Sequence, residues 1–185
     1  DAKRNGKNNF KFFNKSMSAS SLERFSIENA INESLLNHEF ELYFQPQIDL
    51  RNDKLIGFEA LVRWNHPSMG FVYPDKFIPI AEETKQIIQI GEFVLEEAIK
   101  TVSYWKSLHL CAGRIAINVS GVQLEDGNFT QILQKYIKRY NVDSNNIEIE
   151  VTESAIMKNP HNWIKILNEI AELGISISID DFGTG

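Results

Sequence analysis

The chain has 185 residues, enough for one domain with a real core, and its 43% hydrophobic and 24% charged composition is that of an ordinary globular protein. A net charge of −6 argues against a general nucleic-acid binder, although not against a small anionic ligand held through metal ions. No apolar run reaches membrane-spanning length, and the single cysteine, Cys111, cannot form an intrachain disulfide, which fits a reducing cytosolic setting.

Residues 1–16 stand apart, with five basic residues, one acid and Asn-Gly and Asn-Asn turn signals; alone they read as a surface turn or linker. Residues 21–37 predict a helix, with Leu22, Phe25, Ile27, Ala30, Ile31 and Leu35 at helical spacing. Residues 41–50 and 54–64 then read as two strands joined by a short turn, a hairpin. Helices are expected at 74–83 and 87–108, the second with an apolar stripe of Ile90, Val94, Leu95, Ala98, Ile99, Val102 and Trp105. Phe93, Tyr104 and Trp105 read as core, and Cys111 as a small buried residue. A strand at 114–120, a helix at 130–140, a strand at 146–154, a helix at 162–174 closed by Gly174, and a strand at 175–180 complete the order.

After the hairpin the chain thus alternates strand and helix at intervals of about thirty residues, the rhythm of βαβ units with parallel strands. An open doubly wound sheet and a (β/α)8 barrel both fit. No glycine-rich phosphate loop follows a strand, which lowers the dinucleotide-binding option.

In both architectures the working rim lies where parallel strands end. The strands bring there Glu59, Asn118, Glu150 followed by Glu153, and the adjacent pair Asp180 and Asp181. Several acids on one rim repel each other unless cations balance them. Carboxylate and amide oxygens suit magnesium, manganese or calcium; the lack of Cys and His in the set argues against structural zinc. Adjacent aspartates can serve two ions roughly 3.5–4 Å apart, the arrangement used in phosphodiester chemistry. Arg63, four residues after Glu59, faces the same side of a strand and suits a phosphate oxygen, and Gln45 could bond a base or ribose. His66 is expected to order the loop after its strand, while His38, His109 and His161 sit at helix margins as solvated residues.

The ordered set YFQPQIDL, FEALVRWNHP, PDKFIPIAEET, AINVS, IEIEVTES and IDDFGTG resembles the EAL-domain phosphodiesterases of bacterial cyclic-di-GMP signalling, over about residues 38–185. This resemblance implies a TIM-like (β/α)8 barrel with an antiparallel first strand. It implies hydrolysis of cyclic-di-GMP to linear pGpG with Mg2+ or Mn2+, and inhibition by Ca2+. On motif position, Glu59, Asn118, Glu150, Asp180 and Asp181 are implied metal ligands, and Asp181 helps hold the attacking water. Glu153 resembles the glutamate that orders the loop carrying DFGTG, and Gln45 and Arg63 match substrate-contacting positions.

Residues 1–16 resemble the C-terminal tail of a GGDEF domain and residues 17–37 the linker that follows it, so the chain is expected to be cut from a longer GGDEF–EAL protein. The family continues past DFGTG with a catalytic lysine, a further metal-binding glutamate and a substrate-contacting glutamine. A barrel of this type takes about 250 residues. The expectation is an EAL domain truncated after about five strands, marginal or aggregation-prone alone and with little activity of its own. The implied partners are cyclic-di-GMP, a second copy of the EAL domain, and upstream GGDEF and sensor domains that could include a membrane anchor; no nucleic-acid polymer is expected. The alternatives are a receptor that binds cyclic-di-GMP without cutting it, and a scaffold acting through protein contacts.

Overall fold

The computed structural model describes residues 15–110, 113–158 and 160–180, with no side-chain description for 15–20 and 158–162. The expectations for residues 1–14, Cys111, Asp181 and the Gly-Thr-Gly turn, and for the His161 side chain, fall outside the described residues.

The chain opens with α1 (Lys15–Leu36) and the hairpin β1 (Phe40–Asp49) and β2 (Lys54–His66). The hairpin turn is built by side chains: Asp49 Oδ1 accepts from the Arg51 amide at 3.0 Å and Asn52 Oδ1 from the Lys54 amide at 3.0 Å, with Asp53 at φ 54°. A short β3 (Gly70–Val72) folds back on β2, then α2 (Pro74–Glu83) and α3 (Ile87–Ser107) follow. Next come β4 (Arg114–Asn118), α4 (Gly121–Glu125), α5 (Phe129–Tyr140), β5 (Ile147–Thr152), α6 (Glu153–Lys158), α7 (Pro160–Glu172) and β6 (Ser176–Asp180). Gly174, at φ +81°, ends the α7 region in the left-handed conformation, as its position in the sequence predicts.

The strands run β1-β2-β4-β5-β6, with β1 antiparallel to β2 and all later neighbours parallel. This is an open arc of a barrel with its first strand reversed. Pro46 lacks an amide proton and sits on β1, the end strand of the described path, where a ladder bond can be spared.

Alternation along each strand separates two faces. Phe40, Ala60, Trp64, Ile115, Ile117, Ile147, Ile149 and Val151 are buried against the helices. The centre of that layer is aromatic: Phe40 stacks on Trp64 at 4.9 Å between centroids, and Phe77 meets both edge-on at 5.6 and 5.5 Å. α3 covers it with Ile87, Ile90, Val94, Leu95, Ala98, Ile99 and Val102, where each fully buried Ile, Leu or Val side chain is worth about 1.5–3 kcal/mol.

Three expectations need correction. Leu22 and Phe25 are 66% and 64% exposed; the buried stripe of α1 is Ile27, Ile31 and Ser34, and at 100° per residue Leu22, Phe25 and Leu36 point the opposite way. Tyr104 is exposed rather than core, whereas Phe93 and Trp105 pack at the edge of the core. The strand expected at 146–154 ends at Thr152, where α6 takes over. His66 does order its loop, as its Nδ1 accepts from the amides of Ser68 and Met69, both at 3.1 Å. His38 and His109 occupy left-handed turns after helices, at φ 56° and 57°.

Candidate metal centre

The face of the sheet turned away from the helices carries the polar residues. Gln45 stands opposite Glu59 in the antiparallel pair. Across the parallel pairs Glu59 aligns with Ala116, Asn118 with Glu150, Glu150 with Ser178, and Thr152 with Asp180. Since residues two apart share a face, Glu59, Asn118, Glu150 and Asp180 climb this one face of four neighbouring strands toward their C-terminal ends.

The contacts among them are sparse. Asn118 Nδ2 donates to Glu59 Oε1 at 2.7 Å, leaving the amide oxygen to face elsewhere. Ser178 Oγ donates to Glu150 Oε1 at a long 3.5 Å. The Glu150 carboxyl is pushed up to about 7, first by burial and then by the charges of Glu59, Glu148 and Asp180. A half-buried acid raised this far is short of positive charge.

Arg63 does not supply that charge. Among the described residues it makes no ion pair; its Nη1 donates to the Val62 carbonyl at 2.9 Å and its guanidinium lies over the Tyr43 ring at 5.5 Å. A guanidinium pairing on this face lies lower in the arc, where Arg114 Nη1 donates to Glu148 Oε2 at 3.0 Å and to Ser176 Oγ at 2.9 Å.

A cavity of about 300 Å3 opens at the strand ends, lined by Arg63, Asn118, Glu150, Thr152 and Asp180, with Ile90 and Val94 of α3 in its wall. It gathers four of the residues expected from the sequence. Glu59 joins through its bond to Asn118, with Gln45 opposite it, while Glu153 opens α6 and is not part of the cavity lining. Among the described residues no three His, Cys, Asp or Glu side chains come together in a ready-made metal cage. The acids are spread over separate strands with Asn118 between Glu59 and Glu150, so a cation here would draw on an amide oxygen as well as carboxylates. As a donor set, these oxygens fit a hard divalent ion.

Sequence reasoning missed Glu82, Ser120 and Gln123, which also line the cavity. Ser120 and Gln123 form a capping box at α4, and that S-x-x-Q spacing was visible in NVSGVQ. Glu82 arrives from α2 and gave no such signal.

The EAL domain family model matches residues 28–185. This chain belongs to the EAL-domain family. It is 35% identical over its whole length to the bifunctional diguanylate cyclase/cyclic di-GMP phosphodiesterase MucR of Pseudomonas aeruginosa, spanning 27% of that protein. It is 34% identical to the cyclic di-GMP phosphodiesterase NbdA of the same organism, with 97% of this chain aligned to 23% of the relative. The chain thus spans about a quarter of the length of these curated relatives. Among solved structures, a MucR phosphodiesterase in complex with c-di-GMP superimposes with a TM-score of 0.83 at 34% identity, covering 86% of this chain and 65% of that one. The EAL enzyme Bd1971 in a cAMP- and cyclic-di-GMP-bound form gives 0.80 at 35% identity, covering 92% and 48%. The open arc is accordingly part of an EAL-type TIM-like barrel.

Proposed function

We propose that this chain contributes the first half of the catalytic rim of a cyclic-di-GMP phosphodiesterase that opens one phosphodiester bond to give pGpG. The observation that carries the reading is the line of oxygen donors on adjacent strands around a Glu150 carboxyl pushed up to about 7, in an EAL domain whose relatives are named phosphodiesterases. Glu59, Asn118, Glu150, Asp180 and Asp181 would hold the cations. Mg2+ or Mn2+ in a pair would supply an acidified water and neutralise charge on the phosphoryl oxygens. Ca2+ would inhibit, because it takes longer bonds and looser geometry than a site built for the smaller ions.

The chain's own side chains divide the remaining work. Asp181 orients the attacking water. Arg63, free of any carboxylate among the described residues, offers its guanidinium to a phosphate oxygen. Gln45, level with Glu59, bonds the base or ribose. Glu153, at the start of α6, orders the loop after β6 from outside the cavity. In this reading residues 1–16 are a GGDEF tail, 17–37 a linker and 38–185 the EAL segment, in a protein that works with upstream GGDEF and sensor domains and pairs through its EAL domain. No helix among the described residues is long and apolar enough to cross a membrane.

The test is chromatographic separation of products after incubating the full-length protein with cyclic-di-GMP and Mn2+. Formation of pGpG supports the reading. Tight binding of cyclic-di-GMP with no product would make the protein a receptor, and no binding would make it a scaffold.

A further inference from the structure

Asn118 is the one implied metal ligand that is not an acid, and it ends β4 immediately before a turn. A neutral amide attracts a cation far less than a carboxylate does, so its usefulness depends on being held in place. The turn that follows it is tied down by side chains from two helices, α2 and α4.

Val119 N donates to the Glu150 carbonyl at 2.9 Å, keeping the strand pair closed one residue past Asn118. At Ser120 the hydroxyl works both ways: it accepts from Val122 N at 3.3 Å and donates to Glu82 Oε1 of α2 at 2.5 Å. Gln123 Oε1 closes the box by accepting from Ser120 N at 3.0 Å. The Gln123 side chain is 94% buried, being 6% exposed, and its carboxamide fills a notch against α3 where Gly91 has no side chain; any Cβ at Gly91 would collide with it.

Glu82 is itself on a fixed support. Lys76 of α2 bonds Glu23 of α1 at 2.5 Å, Arg24 pairs with Glu83, and Gln86 Nε2 donates to the Glu28 carbonyl at 3.0 Å. α1 thus grips α2 near both ends, and Glu82 to Ser120 is a bond that passes from α2 into the β4 turn.

We propose that Glu82, acting through Ser120 with Gln123 as its backstop, is a positioning residue that aims the Asn118 amide at the metal. Glu82 acts as a hydrogen-bond acceptor for the Ser120 hydroxyl and not as a ligand. This rests on Asn118 holding a cation, the reading given above, but does not require that the protein cut cyclic-di-GMP.

The test is therefore direct Mn2+ binding, followed by the electron paramagnetic resonance of free Mn2+, on full-length protein. Glu82→Ala should weaken Mn2+ binding about tenfold, in the range seen when an outer partner of a metal ligand is lost. Glu82→Gln, whose amide oxygen can accept the same proton, should restore most of the affinity. Ser120→Ala, which also takes the acceptor from Val122 N, should weaken binding at least as much as Glu82→Ala, and adding Glu82→Ala to it should cost nothing further, because the bond between the two is already gone. If the wild type turns over cyclic-di-GMP, the KM for the dinucleotide should stay within about twofold in Glu82→Ala. Unchanged Mn2+ affinity in both Glu82→Ala and Ser120→Ala would overturn the proposal. So would equal damage from Glu82→Gln and Glu82→Ala, which would make the carboxylate a ligand. A wild type that binds no Mn2+ overturns both this proposal and the metal centre, whereas one that binds Mn2+ without turnover removes only the phosphodiesterase reading.

Discussion

On the seam between α3 and α5, Glu92 and Glu96 each hold a tyrosine hydroxyl and a cation; on the polar face of the sheet, Glu59, Glu150 and Asp180 have no cation among the described residues. Tyr136 and Tyr140 donate to Glu92 and Glu96 at 2.7 Å each, and Lys135 and Arg139 stand at 3.4 and 3.0 Å from the same two carboxylates. The pattern repeats at i, i+4 on both helices, which is why it forms a zipper. The Glu96 carboxyl is accordingly held below its ordinary range, chiefly by the Tyr140 hydroxyl, while Glu150 is driven up to about 7. Acids that the fold uses as fasteners are supplied with partners by the fold. Acids left without a cation along one face mark a place where charge is to be brought in from outside.

The comparison breaks most visibly if an unpaired acid proves dispensable. Glu59→Ala should lower cyclic-di-GMP hydrolysis by the full-length protein by well over ~100-fold, more than loss of an outer-shell partner costs, with the fold retained. Wild-type rates in that variant, measured by product chromatography, would return Glu59 to the class of structural acids.

Next in size is metal addition. At Mn2+ near a hundred times its dissociation constant, the melting transition should reflect about 2.7 kcal/mol of added stability, and chelation should remove it. Glu96→Gln should show the same gain, since its acid takes no part in the metal centre.

Much of this contrast was legible from the residues alone. Glu59, Glu150 and Asp180 stand out as acids among the apolar residues of their strands, and strand alternation then fixes their common face. The hairpin, α3 and the parallel order follow from clear periodicity. What stayed hidden depended on distance or on short length. β3 has three residues and α4 five, too few to show a period. Leu22 and Phe25 merge with Ile27 and Ile31 into one apparent stripe although they lie on opposite sides of α1. The Glu82–Ser120 bond joins residues 38 apart in sequence, and nothing local in either segment announces it.

A smaller effect concerns pH. In metal-free protein Glu150 titrates near 7 when folded and near its ordinary 4.5 when unfolded. The folded state then binds more protons between these values, so its contribution to stability is present at low pH and is lost as pH rises from about 4.5 to 7. Melting temperatures in chelator should fall over that window, and Glu150→Gln should flatten this part of the fall. A rise with pH that depends on Glu150 would reverse the sign of the argument.

The smallest effect belongs to the zipper. Tyr140→Phe removes one hydrogen bond to Glu96 and should cost about 0.5–1.5 kcal/mol by denaturant titration, leaving Mn2+ affinity unchanged. A drop in Mn2+ affinity would mean that the two sets of acids are coupled.

The most direct measurement is anomalous diffraction at the manganese edge from crystals of the full-length protein grown with Mn2+ and cyclic-di-GMP. Manganese peaks are expected bonded to oxygens of Glu59, Asn118, Glu150 and Asp180 on the polar face of the sheet. Manganese bound elsewhere, with these four residues bonded only to protein or water, would contradict this reading.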